Sequence, residues 1–142
     1  MSYLIDTHVL SELRRKAPNV RVKTWMRGRS AASLYLSVLT LGEVRKGIEG
    51  IDGINDSKRR AVLLDWLEHE LPAFFSGRVL GIDAAVADRW GRMVAAAGRP
   101  LPAIDSLLAA TAAEHDLVLV TRNVRDFAGL SVQLLDPWAE TG

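Results

Sequence analysis

Three carboxylates sit where chain direction and hydropathy change together. Asp6 directly follows the apolar run Tyr3-Leu4-Ile5. Glu43 lies inside Thr40-Leu41-Gly42-Glu43-Val44-Arg45-Lys46-Gly47, off the Leu41, Val44, Ile48 stripe. Asp105 opens a helical segment whose expected apolar face is Ile104, Leu107 and Leu108, so it is expected to point away from the core. Each has a plain alternative: Asp6 as the cap of the next helix, Asp105 as a first-turn acid favoured by the helix dipole, and Glu43 as surface. A fourth segment, Val118-Leu119-Val120-Thr121-Arg122-Asn123-Val124-Arg125-Asp126-Phe127, ends an apolar run in a hydroxyl, a cation, an amide and then a carboxylate. Acids gathered at one place repel one another unless a cation neutralises them. The chain has no cysteine, so any bound metal is held by oxygen or imidazole. A carboxylate set suits Mg²⁺ or Mn²⁺.

Positioning such groups requires a frame. Short apolar runs at Tyr3 to Ile5, Leu34 to Val38, Val79 to Ile82, Leu117 to Val120 and Val132 to Leu135 predict five strands. Between them, Leu63, Trp66, Leu67 and Leu71 share one helical face, as do Val86, Trp90, Met93, Val94 and Ala97, and then Ile104, Leu107, Leu108, Thr111 and Ala112. Strands alternating with helices predict an α/β fold with a parallel sheet covered on both faces. In such sheets ligands collect beyond the carboxyl ends of the strands, where the acids fall. Gly50 to Asn55 and Gly98 to Pro102 read as turns and neither is long enough to link domains, so residues 1–142 are expected to form one domain.

About half of the 142 residues are apolar and the net charge is +1, but the balance is uneven: residues 1–30 carry +5 and the remainder −4. A basic face of this kind can attract a polyanion or be simply a solvated helical surface. No apolar run approaches the roughly 18 residues of a membrane span. The start MSYLIDTHVL puts Asp6 and His8 where a secretory signal needs an apolar core. A soluble, cytoplasmic protein is therefore expected. His8 reads as a surface residue at a helix start, His69 and His115 have no assigned chemistry, and Trp25, Trp66, Trp90 and Trp138 read as core or interface.

Taken together, DTHVLSEL at 6–13, SVLTLGEVRKGI at 37–48, PAIDSLLAATAAEHDLVLVT at 102–121 and TRNVRDF at 121–127 resemble the PIN-domain ribonucleases, especially the VapC-type toxins of toxin–antitoxin pairs. The resemblance runs over nearly the whole chain in the expected order. It implies a three-layer α/β/α sandwich around a short, mainly parallel sheet, Mg²⁺ or Mn²⁺ in an acidic pocket, and endonucleolytic cleavage of RNA to 5′-phosphate and 3′-hydroxyl ends. It makes Asp6, Glu43 and Asp105 the three acids, with Thr7 and Thr121 as supporting hydroxyls. Where the family often has a fourth acid, this chain has Asn123, with Asp126 three residues on. Asn123 can coordinate through its amide oxygen or orient a water, and Asp126 is either a ligand or the cap of the turn into Phe127.

On this reading Asp6 and Asp105 hold the ion, Glu43 orients or deprotonates the attacking water, and Arg14, Arg15, Lys16, Arg45 and Lys46 hold the RNA backbone. The resemblance further implies a homodimer and a small antitoxin that blocks the site. The run from Ser57 to Leu71 either offers that partner a groove or packs internally. Two other enzyme or signalling patterns fit poorly: a haloacid-dehalogenase-like phosphatase resembles a pattern with Asp where His8 stands, and a receiver domain needs a late lysine, yet no lysine follows Lys58. The alternative within the fold is a catalytically inactive RNA- or antitoxin-binding module.

Overall fold

The computed structural model describes residues 1–139. Five parallel strands form one sheet in the order β3-β2-β1-β4-β5, with β1 (Tyr3–Ile5) in the middle, β2 (Leu34–Ser37) and β3 (Val79–Leu80) on one side, and β4 (Val118–Val120) and β5 (Leu134–Leu135) on the other. The strand direction makes every crossover long enough to carry a covering element. Register pairs Tyr3 with Leu34 and Val118, and Ile5 with Val120. The ladder continues one residue past β1, where the Asp6 N–H donates to the Val120 carbonyl at 3.1 Å.

Side-chain alternation along these short strands feeds two cores. Tyr3, Ile5, Leu34, Leu36, Val118 and Val120 face one way, into Val9, Leu10, Val22, Val44, Ile48, Trp66, Leu67, Leu71 and Phe75. Those residues come from α1 (Thr7–Leu13), α2 (Val20–Arg27), α3 (Val38–Glu49), the π-helical turn Trp66–Glu70 that follows α4 (Ser57–Asp65), and α5 (Leu71–Phe74) with the residue after it. Leu4 and Leu119 face the other way, into Met93, Leu108, Ala109 and Ala112 of α6 (Ala84–Ala97) and α7 (Ala103–Glu114), and into Phe127. Period-two alternation thus separates two helical layers around one sheet, the expected three-layer sandwich.

Helix starts follow local chemistry. The Asn19 side chain accepts from the Arg21 and Val22 N–H groups, Ser37 from Leu39 and Asp83 from Val86, which begin α2, α3 and α6. Gly98, at φ 64°, ends α6 in the left-handed conformation that glycine adopts without a Cβ clash.

Several expectations need adjustment. Val38 is the first residue of α3 and not the end of β2, because Ser37 caps there and turns the chain. β3 and β5 are two-residue edge strands, shorter than their apolar runs. Ile104 does not join the buried face of α7. It is 37% exposed, while Ser106 and the unbroken run Leu108 to Ala112 are buried. A helix rich in alanine is apolar nearly all round, so hydropathy does not mark its face, and small side chains allow close packing against α6. The Ser57 to Leu71 run mostly packs inward: Trp66, Leu67 and Leu71 are core, with Leu63 and Leu64 against it. Val62, however, is 54% exposed and lines a groove of about 590 Å³ with Leu63, Trp66, Arg14 and Lys58. Among the described residues no helix is long and apolar enough to cross a membrane.

Candidate metal centre

The sheet order reverses at β1, whose neighbours are β2 on one side and β4 on the other, and the crevice beyond such a reversal is where α/β sheets bind ligands. Asp6 ends β1 there and Thr121 follows β4. Asp6 is buried, and its Oδ2 accepts a 2.7 Å hydrogen bond from the buried Thr121 hydroxyl across a gap of 115 residues. The capping reading of Asp6 is answered by geometry. Its backbone carbonyl starts α1 by accepting from Val9 and Leu10, but its side chain makes no cap bond. The carboxylate is thus held for something other than the helix.

Glu43 comes from the second turn of α3, on the other side of β1. The Thr7 hydroxyl donates to Glu43 Oε1 at 2.6 Å, tying the first residue of α1 to α3. Thr7 and Thr121 therefore each donate to one carboxylate, as the family resemblance implies. Asp105 is on the first turn of α7, half-buried, and the Pro102 cap position makes no side-chain bond. Its carboxyl is pushed above the ordinary 3.8, first by desolvation and then by the negative charges of Asp6, Glu43 and Asp126, with His8 opposing. Four acids from four segments thus share one field, although they lie as much as 120 residues apart in the chain.

The remaining predicted residues divide. Asn123 is half-buried, and its backbone N–H donates to Thr121 Oγ1 at 3.2 Å, so it belongs to the same corner. Asp126 is exposed in the 3-10 turn Val124–Phe127, which no side chain caps. His8 is a surface residue, as expected, with Nδ1 3.5 Å from Asp6 Oδ2. Of the five basic candidates, Arg15 is bound to Glu12 at 3.3 Å and Arg45 to Glu68 at 3.0 Å. The Arg14 guanidinium lies 5.2 Å from the Trp66 ring centre, and Lys16 and Lys46 are exposed. Neither the groove beside Val62 nor a cavity of about 470 Å³ between α6, α7 and Leu130 includes Asp6, Glu43 or Asp105 in its lining.

Supporting residues escaped the sequence reading. Trp90 Nε1 donates at 2.9 Å to the Ser106 hydroxyl, which in turn donates to the Ala103 carbonyl, locking the turn that carries Asp105. Arg99 donates to the carbonyls of Asp126 and Ala128, fixing the loop after Asn123. Glu12 is buried, and the Asn19 N–H, ahead of Arg15, holds its carboxyl below the usual 4.5. Ser106, directly after Asp105, was the readable clue. The others are long-range pairings that spacing does not encode.

Among the described residues no three acids or histidines stand close enough to ligate one ion together. An all-oxygen donor set in which neighbouring acids raise the proton affinity of Asp105 fits a hard divalent cation that keeps several waters and takes one or two carboxylates directly.

A family model described as the PIN domain matches residues 3–131. Toxin FitB of Neisseria gonorrhoeae is 34% identical over 138 residues, covering 95% of this chain and 97% of that protein. VapC ribonuclease Y4jK of Sinorhizobium fredii is 30% identical, covering 95% and 96%. The crystal structure of FitAcB from Neisseria gonorrhoeae aligns with a TM-score of 0.86 and 34% identity, over 96% of this chain and 98% of that one. With strand order, acid placement and both hydroxyl supports already in hand, these likenesses over nearly the full length mean that the chain belongs to the PIN-domain family.

Proposed function

We propose that this protein is a divalent-metal-dependent endoribonuclease, acting as the toxin of a toxin–antitoxin pair in the cytoplasm. The observation that carries the reading is the shared field of Asp6, Glu43 and Asp105 at the carboxyl edge of a PIN-family sheet. The relatives named as a toxin and a ribonuclease support it.

Asp6 and Asp105 would hold Mg²⁺ or Mn²⁺. Bound there, the cation would supply positive charge to the scissile phosphate and acidity to a water. Thr121 donates to Asp6 Oδ2 and would hold that carboxylate in place for the ion. Thr7 occupies Glu43 Oε1, which leaves Oε2 to orient the attacking water and take its proton. Asn123, whose backbone N–H is tied to Thr121, would offer its amide to the same corner, and Asp126 adds negative charge felt by Asp105. Arg14, Lys16 and Lys46 would meet the RNA backbone, while Arg15 and Arg45 would first have to exchange Glu12 and Glu68 for phosphate. The partner implied by the family resemblance is an antitoxin that covers this pocket, and the assembly a homodimer.

The test is cleavage of a mixed single-stranded and structured RNA pool by partner-free protein, in Mg²⁺, in Mn²⁺ and in excess EDTA, with Asp105→Asn purified in parallel. Cutting that needs metal and falls at least about 100-fold in the variant supports the proposal. Equal cutting by both proteins, or none by a wild type that binds metal normally, leaves the binding-module reading instead.

A further inference from the structure

We propose that Arg122, braced on the Trp138 ring, grips a phosphate of the RNA strand as it enters the acidic pocket; the inference rests on the ribonuclease reading above. Arg122 directly follows Thr121, the residue whose hydroxyl holds Asp6, so its backbone is fixed to the site. The side chain is exposed, and its guanidinium carbon lies 5.0 Å from the centre of the Trp138 ring. Trp138 is itself anchored: it packs against the core, and its carbonyl accepts from Arg21 Nη1 at 3.2 Å.

A guanidinium stacked on an indole is oriented without using its N–H edge. That edge is what a phosphate accepts from, in a two-pronged geometry that lysine cannot match. Charge availability separates Arg122 from the arginines already committed to ion pairs. Arg15, Arg45, Arg60 and Arg89 each hold a carboxylate within 3.3 Å. Among the described residues Arg122 has no acid within ion-pair distance. Its charge is felt by Glu12, and that carboxylate is already bound by the Asn19 N–H and by Arg15. Among the described residues Arg122 is therefore a pre-oriented cation without an ion-paired acid, and it directly follows Thr121 in the chain. A single-stranded polyanion running across the candidate metal centre would supply a partner for it.

The experiment measures anisotropy of a labelled single-stranded oligoribonucleotide titrated with partner-free Asp105→Asn protein, across a series of salt concentrations. Adding Arg122→Ala is expected to weaken binding about five- to tenfold and to reduce the slope of log affinity against log salt by about 0.7, one phosphate's worth for a single strand. Arg122→Lys keeps the slope but loses part of the affinity. Trp138→Phe retains the charge and most of the packing, so the slope stays while affinity drops about threefold. Unchanged affinity and slope in Arg122→Ala overturns the phosphate grip and leaves the ribonuclease reading intact. Weaker binding with an unchanged slope in Arg122→Ala also overturns it, since loss of fold and not loss of a phosphate contact explains that result. Absence of RNA binding by the parent Asp105→Asn protein overturns both.

Discussion

Asp105 pays for its position in the absence of a cation. Its carboxyl binds a proton more tightly in the folded protein than in the unfolded chain, because desolvation and the Asp6, Glu43 and Asp126 charges disfavour ionisation. Folding stability of the metal-free protein therefore falls as pH rises from 3.8 through the raised folded value, and stays lower above it. Asp105→Asn should melt at a higher temperature than wild type at pH 7 in EDTA, and the two curves should converge below the unfolded value of 3.8. A variant that is less stable at pH 7 would show that Asp105 contributes to the fold and not only to the site. Thr121 makes the opposite case. Replacing it with valine keeps shape but leaves the buried Asp6 carboxylate without its 2.7 Å donor. The expected cost is about 1–3 kcal/mol by denaturant melts. Metal affinity should also drop about 10- to 100-fold, as for other residues that orient a ligand. Intact affinity in a folded Thr121→Val protein would remove the hydroxyl from the site.

Within α3, Thr40 is fully buried and its hydroxyl is the one buried side-chain polar atom among the described residues with no partner. Thr40→Val keeps the β-branched shape and removes that cost, so stability should rise by about 1 kcal/mol in urea unfolding. A loss instead would mean that an ordered water satisfies the hydroxyl. The same helix shows what hydropathy could and could not reveal. Val44 and Ile48 were legible as its buried stripe, and the off-stripe position of Glu43 followed. Thr40 was not marked, because a threonine between apolar residues fits either face. α7 misled more: Ile104 was the most apolar residue of its first turn, yet that turn lies at the carboxyl edge of the sheet, and alanines make the close contacts. Asp105 was placed correctly in sequence even so, because a first-turn acid after Pro102 is a local signal. Arg122 on Trp138 and Trp90 on Ser106 were invisible for the complementary reason: each joins residues 16 apart, by the shape of the fold and not by a periodic pattern.

At the scale of the molecule, the sheet divides two cores, and its central strands serve both. Leu119 is fully buried among Leu4, Met93, Leu108 and Phe127, while its neighbours Val118 and Val120 face the other layer. Leu119→Ala should cost about 2–5 kcal/mol, read as a lower midpoint in thermal or urea melts. A cost under 1 kcal/mol would mean that the α6 and α7 layer collapses into the space, so that the two cores are not independently packed. The five apolar runs were enough to anticipate this frame, because all-parallel strands are buried on both faces and so stand out by composition. Strand order was not readable, and order is what brings Thr121 beside Asp6.

That bond has a consequence for the moment of synthesis. Asp6 is made 115 residues ahead of Thr121, and β1 cannot pair with β4 before β4 exists. A growing chain can assemble β1, β2 and the helices between them, but the corner that Asp6 shares with Thr121 and Asn123 stays open until β4 and the turn after it have been made. The acidic corner therefore cannot form on a chain that stops short of Thr121, however well its earlier segments have folded.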